Sequence, residues 1–442
     1  MSNLQIYGST TDICNTLEHL GRLPSDFDGR AILPLLTYPN ENVRVLAVKT
    51  LGKIESIAYL PTLCSVVQQD LSSLVKREAV SAIGRMRSPQ TIDKLIDILG
   101  DNDPKVVCQA IRGLLVFKGQ KKVDDALKQL INNENEMVQS VIQREYFQKE
   151  SKIQNRLAHP DTYPFLQNVV VNADVRKVLE LIPDESIHLT FTSPPYYNAR
   201  DYSIYPSYEA YLHFLQDVFE ATYRVTKEGR FLIVNTSPVI IPRVSRSHAS
   251  KRYPIPFDLH TILVKMGWEF IDDIIWMKPE YSVKNRIGGF QQHRKPLAYK
   301  PNTVTEYLMV YRKKTDKLLD WNIHQYSSAI VNESKVIGNI DTTNVWQINP
   351  KSDKVHSAVF PEELCKRVIK YYSFKGDLIF DPFGGSGTVG RVAKSMQRYF
   401  FLTELEKKYF EYMKSFQRED SLFNEKKTLF VTLEDFKKTI QL

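Results

Sequence analysis

The chain has 442 residues, 43% apolar and 25% charged, so more than one domain with a sizeable core is expected and a disordered chain is excluded. No run of 18 apolar residues occurs, no signal-peptide pattern opens the sequence, and Cys14, Cys64, Cys108 and Cys365 form no CxxC pair; a reducing cytosol is expected, without membrane span, zinc site or disulfide framework. The net charge of +8 is unevenly placed: residues 1–150 hold 18 Lys and Arg against 18 Asp and Glu, so the basic excess and the polyanionic partner it suggests belong to the remainder.

The first 150 residues repeat. VRVLAVKTLG from Val43, VKREAVSAIG from Val75, VVCQAIRGLL from Val106 and, more weakly, VQSVIQREYF from Val138 start 32, 31 and 32 residues apart. Ala47, Ala79 and Ala110 share the fifth place, apolar residues recur at helical spacing, and Asn40, Ser73 and Asp103-Pro104 supply helix starts. Segments between, such as TIDKLIDILG, read as partner helices. Each pair is too small to bury its own face, so stacked helical pairs are expected over 1–150, resembling short HEAT-like repeats. Their neutral charge favours contact with a protein partner or positioning of the target over bulk phosphate binding.

Residues 146–165 break the pattern and read as a linker. Beyond it the texture is α/β over 151–442. Strands are predicted at 168–174, 187–192, 230–235, 270–277, 306–312, 377–381 and 399–404, with helices between several of them. Apolar strands alternating with helices imply a mainly parallel sheet covered on both faces, and ligands of such sheets sit beyond the carboxyl ends of strands.

Three features fall at such ends. The strand IHLTFT stops at Ser193-Pro194-Pro195-Tyr196. Proline has no N–H and a restricted backbone, so the carbonyl of Pro194 and the hydroxyl of Ser193 can be held as oxygen acceptors, with Tyr196 free to stack on a base. Two basic loops follow later strands: 241–253, with Arg243, Arg246, Lys251 and Arg252, and 281–304, with Lys284, Arg286, Arg294 and Lys295. These cations suit phosphates, and Gln291, Gln292 and Arg294 could reach base edges. His248 and His293 show no metal-ligand spacing, and no metal is assigned.

The third is DPFGGSGTVG, a strand, a glycine turn and a helix start. Gly384, Gly385 and Gly387 let a ligand approach the backbone, and a helix from Thr388 directs free N–H groups at it. Glu404 ends the next strand and can accept from both hydroxyls of a ribose. GSGTVG matches G-x-G-x-x-G, so a dinucleotide is one candidate. Asp381 ahead of the glycines suits a cationic ligand better than a pyrophosphate, which favours S-adenosyl-L-methionine. A methyl donor here and acceptors at Ser193 and Pro194 would serve transfer to an exocyclic amino nitrogen, whose delocalised lone pair needs such acceptors.

The segments TSPPYYN and DPFGGSGTVGRVAKSMQRYFFLTELEKKYF resemble the two signature regions of amino-group DNA methyltransferases, in the β order of that family. Ser-Pro-Pro-Tyr is similar to the N4-cytosine members, while adenine-N6 members usually carry Asp at the first place. VNADVRKVLELIPDESIHL, IIWMKP and VHSAVFPEELCKRVI resemble further family segments, so the likeness covers about 168–414. It implies an α/β Rossmann-like methyltransferase sheet preceded by an all-α HEAT-like repeat domain. It further implies a cofactor site of Asp174, Phe360, Pro361, Asp381, Pro382, Phe383, Gly385, Gly387, Thr388 and Glu404, and a catalytic tetrad of Ser193, Pro194, Pro195 and Tyr196. The function it implies is methylation of cytosine N4 in double-stranded DNA in a prokaryotic cytoplasm, beside a cognate restriction endonuclease. Thr305-Glu306-Tyr307 departs from the His-Glu-Tyr of related sequences. Cys365 sits in a helical pattern and reads as core, which disfavours cytosine-C5 chemistry. Adenine-N6 methylation and, in another class, a non-catalytic nucleic-acid-binding scaffold stay open, as does an RNA substrate.

Overall fold

The structure, a computed structural model, describes residues 8–21, 23–24, 27–147, 162–198, 205–241, 245, 247–248, 250–351, 361–420 and 427–440. The chain divides into two compact units, Met1–Arg156 and Leu157–Leu442. The expected boundary at 150/151 lies outside the described residues, as do Phe360, Arg243 and Arg246.

In the first unit the repeated segments are the helices Glu41–Ile54, Ser73–Arg85, Pro104–Leu114 and Glu136–Ile142. Their caps keep the repeat: Asn40, Ser72, Asp103 and Asn135 each accept backbone N–H bonds of the first turn. The helix starts at Ser73, as expected, and its cap is Ser72, whose Oγ accepts from Leu74 N at 3.1 Å. Partner helices Leu60–Gln69, Ile92–Ile98 and Lys121–Lys128 alternate with them. Ala47, Ala79 and Ala110 are fully buried in one continuous core, where their small size lets helices approach. Two glycines make one close crossing: a Cβ on Gly84 would lie 3.1 Å from Gly113 Cα.

The second unit is built on a nine-stranded sheet. Its strands are β1 (Val169–Asn172), β2 (Ile187–Thr192), β3 (Thr226–Thr236), β6 (Trp268–Met277), β7 (Thr305–Lys313), β8 (Val345–Gln347), β9 (Leu378–Asp381), β10 (Tyr399–Glu404) and β11 (Leu429–Thr432), while β4 (Val239–Ile241) and β5 (Lys251–Tyr253) form a separate hairpin. The order is β11-β1-β10-β9-β2-β3-β7-β6-β8. Every pairing is parallel except those of β7 with β3 and β6. The expected mainly parallel sheet is therefore present, and β6 runs in the direction of β3.

That topology gathers one rim. The carboxyl ends of β2, β9, β10, β3 and β6 lie on it, and antiparallel β7 begins on it. β1, β2, β9 and β10 are buried along almost their whole length, which accounts for their continuous apolar and β-branched runs. Helices Glu362–Tyr372 and Thr388–Ser395 pack on one face, and Tyr208–Val225 and Ile255–Met266 supply aromatic and aliphatic faces to the other cores. Among the described residues no helix is long and apolar enough to cross a membrane.

Candidate active site

The end of β2 lies between its two neighbours: Thr190 pairs with Phe380 of β9, and Thr192 with Val234 of β3. Ser193 therefore leaves the sheet beside Asp381, the last residue of β9. A cavity of about 350 Å³ opens there. Ser193, Pro194, Pro195 and Tyr196 line one part of it; Asp174, Asp381, Pro382, Phe383, Gly385, Thr388 and Glu404 line the rest. Pro361 caps the helix Glu362–Tyr372 and Gly387 caps Thr388–Ser395; neither is among the lining residues.

Two adjacent tyrosines go separate ways. Tyr196 borders the cavity. Tyr197 is buried among Tyr208, Tyr211 and Tyr253, with ring centroids 5.3, 5.6 and 4.7 Å away. Tyr253 belongs to β5, so Tyr197 anchors the hairpin beside the tetrad.

The glycine turn is held from β10. Gly384 N donates to Thr403 O at 2.8 Å, and Gly385 N donates to Glu404 Oε2 at 2.7 Å. Gly385 and Gly387 have φ of 51° and 76°, and a Cβ on Gly387 would meet Met413 Sδ at 2.8 Å. Gly390 serves packing instead: a Cβ there would lie 3.0 Å from Leu402 Cδ1 and 3.1 Å from the Phe400 ring. Its part in G-x-G-x-x-G is thus helix-on-strand contact. The helix Thr388–Ser395 has no side-chain cap, so its first-turn N–H groups take no side-chain partner at Gly387.

The electrostatics are those of a buried acidic pocket. Asp381 is 2% exposed and accepts from Thr192 Oγ1 at 2.6 Å and from Phe383 N at 3.0 Å, both on Oδ1. Burial pushes its carboxyl up to about 7. Glu404 is likewise pushed up to about 7 by burial, although Gly385 and Glu406 donate backbone N–H bonds to it. Among the described residues no cationic side chain pairs with either. Asp174 differs. The Arg176 guanidinium holds it below the usual carboxylate range, with Nη2 at 2.7 Å from Oδ2.

Sequence reasoning missed several neighbours. Arg176, Tyr205, Phe214 and Tyr409 line the cavity. Glu306 accepts from Tyr196 Oη at 3.0 Å and from Asn235 Nδ2 at 2.7 Å, and pairs with Lys278. A carboxylate opening a strand was visible; its partners 110 and 71 residues away were not.

The two basic segments leave the same rim, after β3 and β6. The first is a hairpin rather than the expected open loop: Ile240 pairs with Arg252, and Ile241 with Lys251. The second holds the helix Gly288–His293, on which Gln291 and Gln292 are exposed. Burial, and after it the Arg252 charge, depresses the Arg286 guanidinium. Lys251, Arg252, Lys284, Arg294 and Lys295 are exposed and Arg286 half-buried. Cys365 is buried in the core, which pushes its thiol up, and it does not line the cavity.

Residues 187–415, more than half of the chain, match a family model described as DNA methylase, covering N6 and N4 enzymes. The chain belongs to the DNA methylase family. Residues 60–145 match HEAT repeats. This DNA methylase is 26% identical over 348 residues to the Type II beta methyltransferase M.BslI of Bacillus sp. (strain NEB-606), covering 73% of this chain and 36% of that protein. It is 28% identical over 246 residues to the Type II methyltransferase M.MwoI of Methanothermobacter wolfeii, covering 53% and 31%. The chain thus spans about a third of the length of these two relatives. It is also similar to a DNA modification methylase of Thermus thermophilus, solved with S-adenosyl-L-methionine, at 26% identity and a TM-score of 0.47 over 60% of this chain and 98% of that one.

The cofactor is S-adenosyl-L-methionine. The cavity fits it on chemical grounds. Two buried carboxylates lacking cationic partners suit a ligand that brings positive charge and vicinal hydroxyls, and a cavity of about 350 Å³ falls in the range of small-molecule sites.

Proposed function

We propose that this DNA methylase transfers a methyl group from S-adenosyl-L-methionine to the N4 amino group of cytosine in duplex DNA, as the modification enzyme of a restriction–modification system. The observation that carries the reading is the position of Ser193, a neutral hydroxyl at the first place of the tetrad, on the same cavity as Asp381 and Glu404.

Asp381 and Glu404 would hold the cofactor's cationic and hydroxyl groups, with Asp174, Phe383, the glycine turn and Thr388 around the remainder. When bound, the cofactor supplies an electrophilic methyl group on a sulfonium. Ser193 Oγ and the Pro194 carbonyl would accept from the target amino group. Its lone pair is delocalised into the base, and acceptors placed in advance favour the pyramidal nitrogen on which positive charge builds. Tyr196 would stack on the extruded base, an interaction worth roughly 1–3 kcal/mol, against the few kcal/mol that flipping requires. The cations of the hairpin and of 281–304 would neutralise backbone phosphates. The repeats, neutral in charge, would contact a protein partner.

The test is chemical. DNA from a host expressing the chain is digested to nucleosides and analysed by mass spectrometry. N4-methylcytosine is expected. N6-methyladenine in its place would replace the base assignment, and no methylated nucleoside would overturn the transfer reading.

A further inference from the structure

Glu306 lies at the start of β7, opposite Trp276 of β6, on the rim that carries the tetrad. Its carboxylate gathers three elements. Tyr196 Oη donates to Oε2 at 3.0 Å, Asn235 Nδ2 of β3 donates to the same oxygen at 2.7 Å, and Lys278, just beyond β6, pairs with Oε1. The Glu306 and Lys278 side chains are only 14% and 19% exposed. Withdrawing such a pair from water offsets most of its attraction, so it adds little to a sheet already closed by backbone bonds. Asn235 is 2% exposed, and its Oδ1 takes no partner among the described residues, so its amide is fixed through Glu306.

The consequence is a direction. A phenol has one proton and two lone pairs, and an ionised carboxylate only accepts. The Tyr196 proton is therefore committed to Glu306. With that proton engaged, the Tyr196 oxygen can only accept from any further donor at the cavity it borders.

We infer that Glu306 is a positioning residue of the methyl-transfer site, fixing the Tyr196 hydroxyl and so holding the Tyr196 ring where it borders the cavity that Ser193 also lines. The inference rests on the transfer reading above. A glutamine at 306 can donate as well as accept, so it would release this polarity while keeping the shape.

The experiment compares wild type, Glu306→Gln, Tyr196→Phe, their double variant, and Glu306→Gln with Lys278→Met, which removes the stranded ammonium. Turnover of Glu306→Gln should fall at least ~30-fold, the order of a lost oxygen-orienting contact, while KM for DNA and the cofactor Kd stay within about twofold. The double variant should be no slower than the slower single one, because the residues act as one unit. The ¹³Cζ resonance of Tyr196, assigned by its loss in Tyr196→Phe, should move in Glu306→Gln without any substrate present. Lys278→Met should restore the thermal midpoint but not turnover. A folded Glu306→Gln enzyme with wild-type turnover, additive losses, or an unmoved Tyr196 resonance would overturn the inference alone. A wild-type protein that methylates no DNA would instead overturn the transfer reading beneath it.

Discussion

The Thr192 hydroxyl donates to Asp381 Oδ1 at 2.6 Å, joining the strand that presents Ser193 to the strand that opens the glycine turn. Thr192 is fully buried and Asp381 nearly so. A charge-assisted bond of this kind, shielded from water, is among the stronger ones in proteins. It fixes the two halves of the cavity against each other, so cofactor and target base would be held at a set separation. Alignment of that sort can supply about 7–11 kcal/mol of a barrier reduction.

The raised Asp381 carboxyl makes stability depend on pH. Its ordinary value is 3.8 and burial brings it to about 7 in the fold. Between these values the native chain binds more protons than the unfolded one, so the stability of the cofactor-free protein falls as pH rises through this window. The full penalty is present above it and amounts to as much as ~4 kcal/mol. Asp381→Asn should therefore raise the melting temperature of the cofactor-free protein at pH 8, and the two proteins should converge only at about pH 4 or below, near the ordinary value of 3.8. The same variant should lose cofactor affinity at pH 8, because the carboxylate's charge is gone. Calorimetric scans at both pH values, with cofactor titration, check this; a variant less stable at pH 8 would contradict the burial argument.

Ser193→Ala separates binding from chemistry. Ser193 lines the cavity, yet the buried carboxylates that suit the cofactor belong to β9 and β10. Removing one preorganised acceptor costs on the order of 10²–10³ in turnover in comparable sites. The cofactor Kd should stay within about twofold by calorimetry. Equal losses of turnover and cofactor affinity would remove Ser193 from its acceptor role.

The strands at the centre of the sheet were legible because their sequence is bounded sharply. Ile187–Thr192 and Tyr399–Glu404 match the expected ranges to the residue, one stopped by Ser-Pro-Pro and the other by Glu404. β8 and β11 were not legible. They are edge strands of three and four residues with one buried residue each, Trp346 and Val431, too short for a buried run or a sustained alternation to mark them. The hairpin read as a loop because β5 is Lys-Arg-Tyr, a charged segment that pairs only with β4. Asp381 and Glu404 stood out through local motifs. Thr192 to Asp381 and Tyr196 to Glu306 are contacts across 189 and 110 residues, and no spacing rule predicts them.

The repeat helices make a packing prediction. A Cβ on Gly113 would lie 2.9 Å from Leu95 Cδ1 and 3.1 Å from Gly84 Cα, the second being backbone that cannot rotate away. Gly113→Leu should overpack this crossing and destabilise the repeat unit by roughly 1–3 kcal/mol or more. Thermal unfolding of the full chain should begin at lower temperature. Cofactor affinity, carried by residues of the sheet unit, should not change.

Arg252 and Arg286 make the last prediction. They stand on separate segments of the rim, and the Arg286 guanidinium is depressed by burial and then by the Arg252 charge. Arg286 Nη1 donates to Thr303 Oγ1 at 2.7 Å, which orients the guanidinium without neutralising it. Among the described residues neither pairs with a carboxylate, and their mutual repulsion would be relieved where an anion shares them, as duplex phosphates can. Each phosphate neutralised releases counterions, so affinity should fall with salt at a slope that loses about one unit per arginine removed. Arg252→Gln with Arg286→Gln should thus flatten the plot of log affinity against log salt by about two and weaken binding across DNA sequences alike. Fluorescence anisotropy of a labelled duplex over a salt series reads both effects. An unchanged slope would move the DNA path off this part of the rim, and a loss confined to one sequence would turn these arginines from phosphate contacts into base readers.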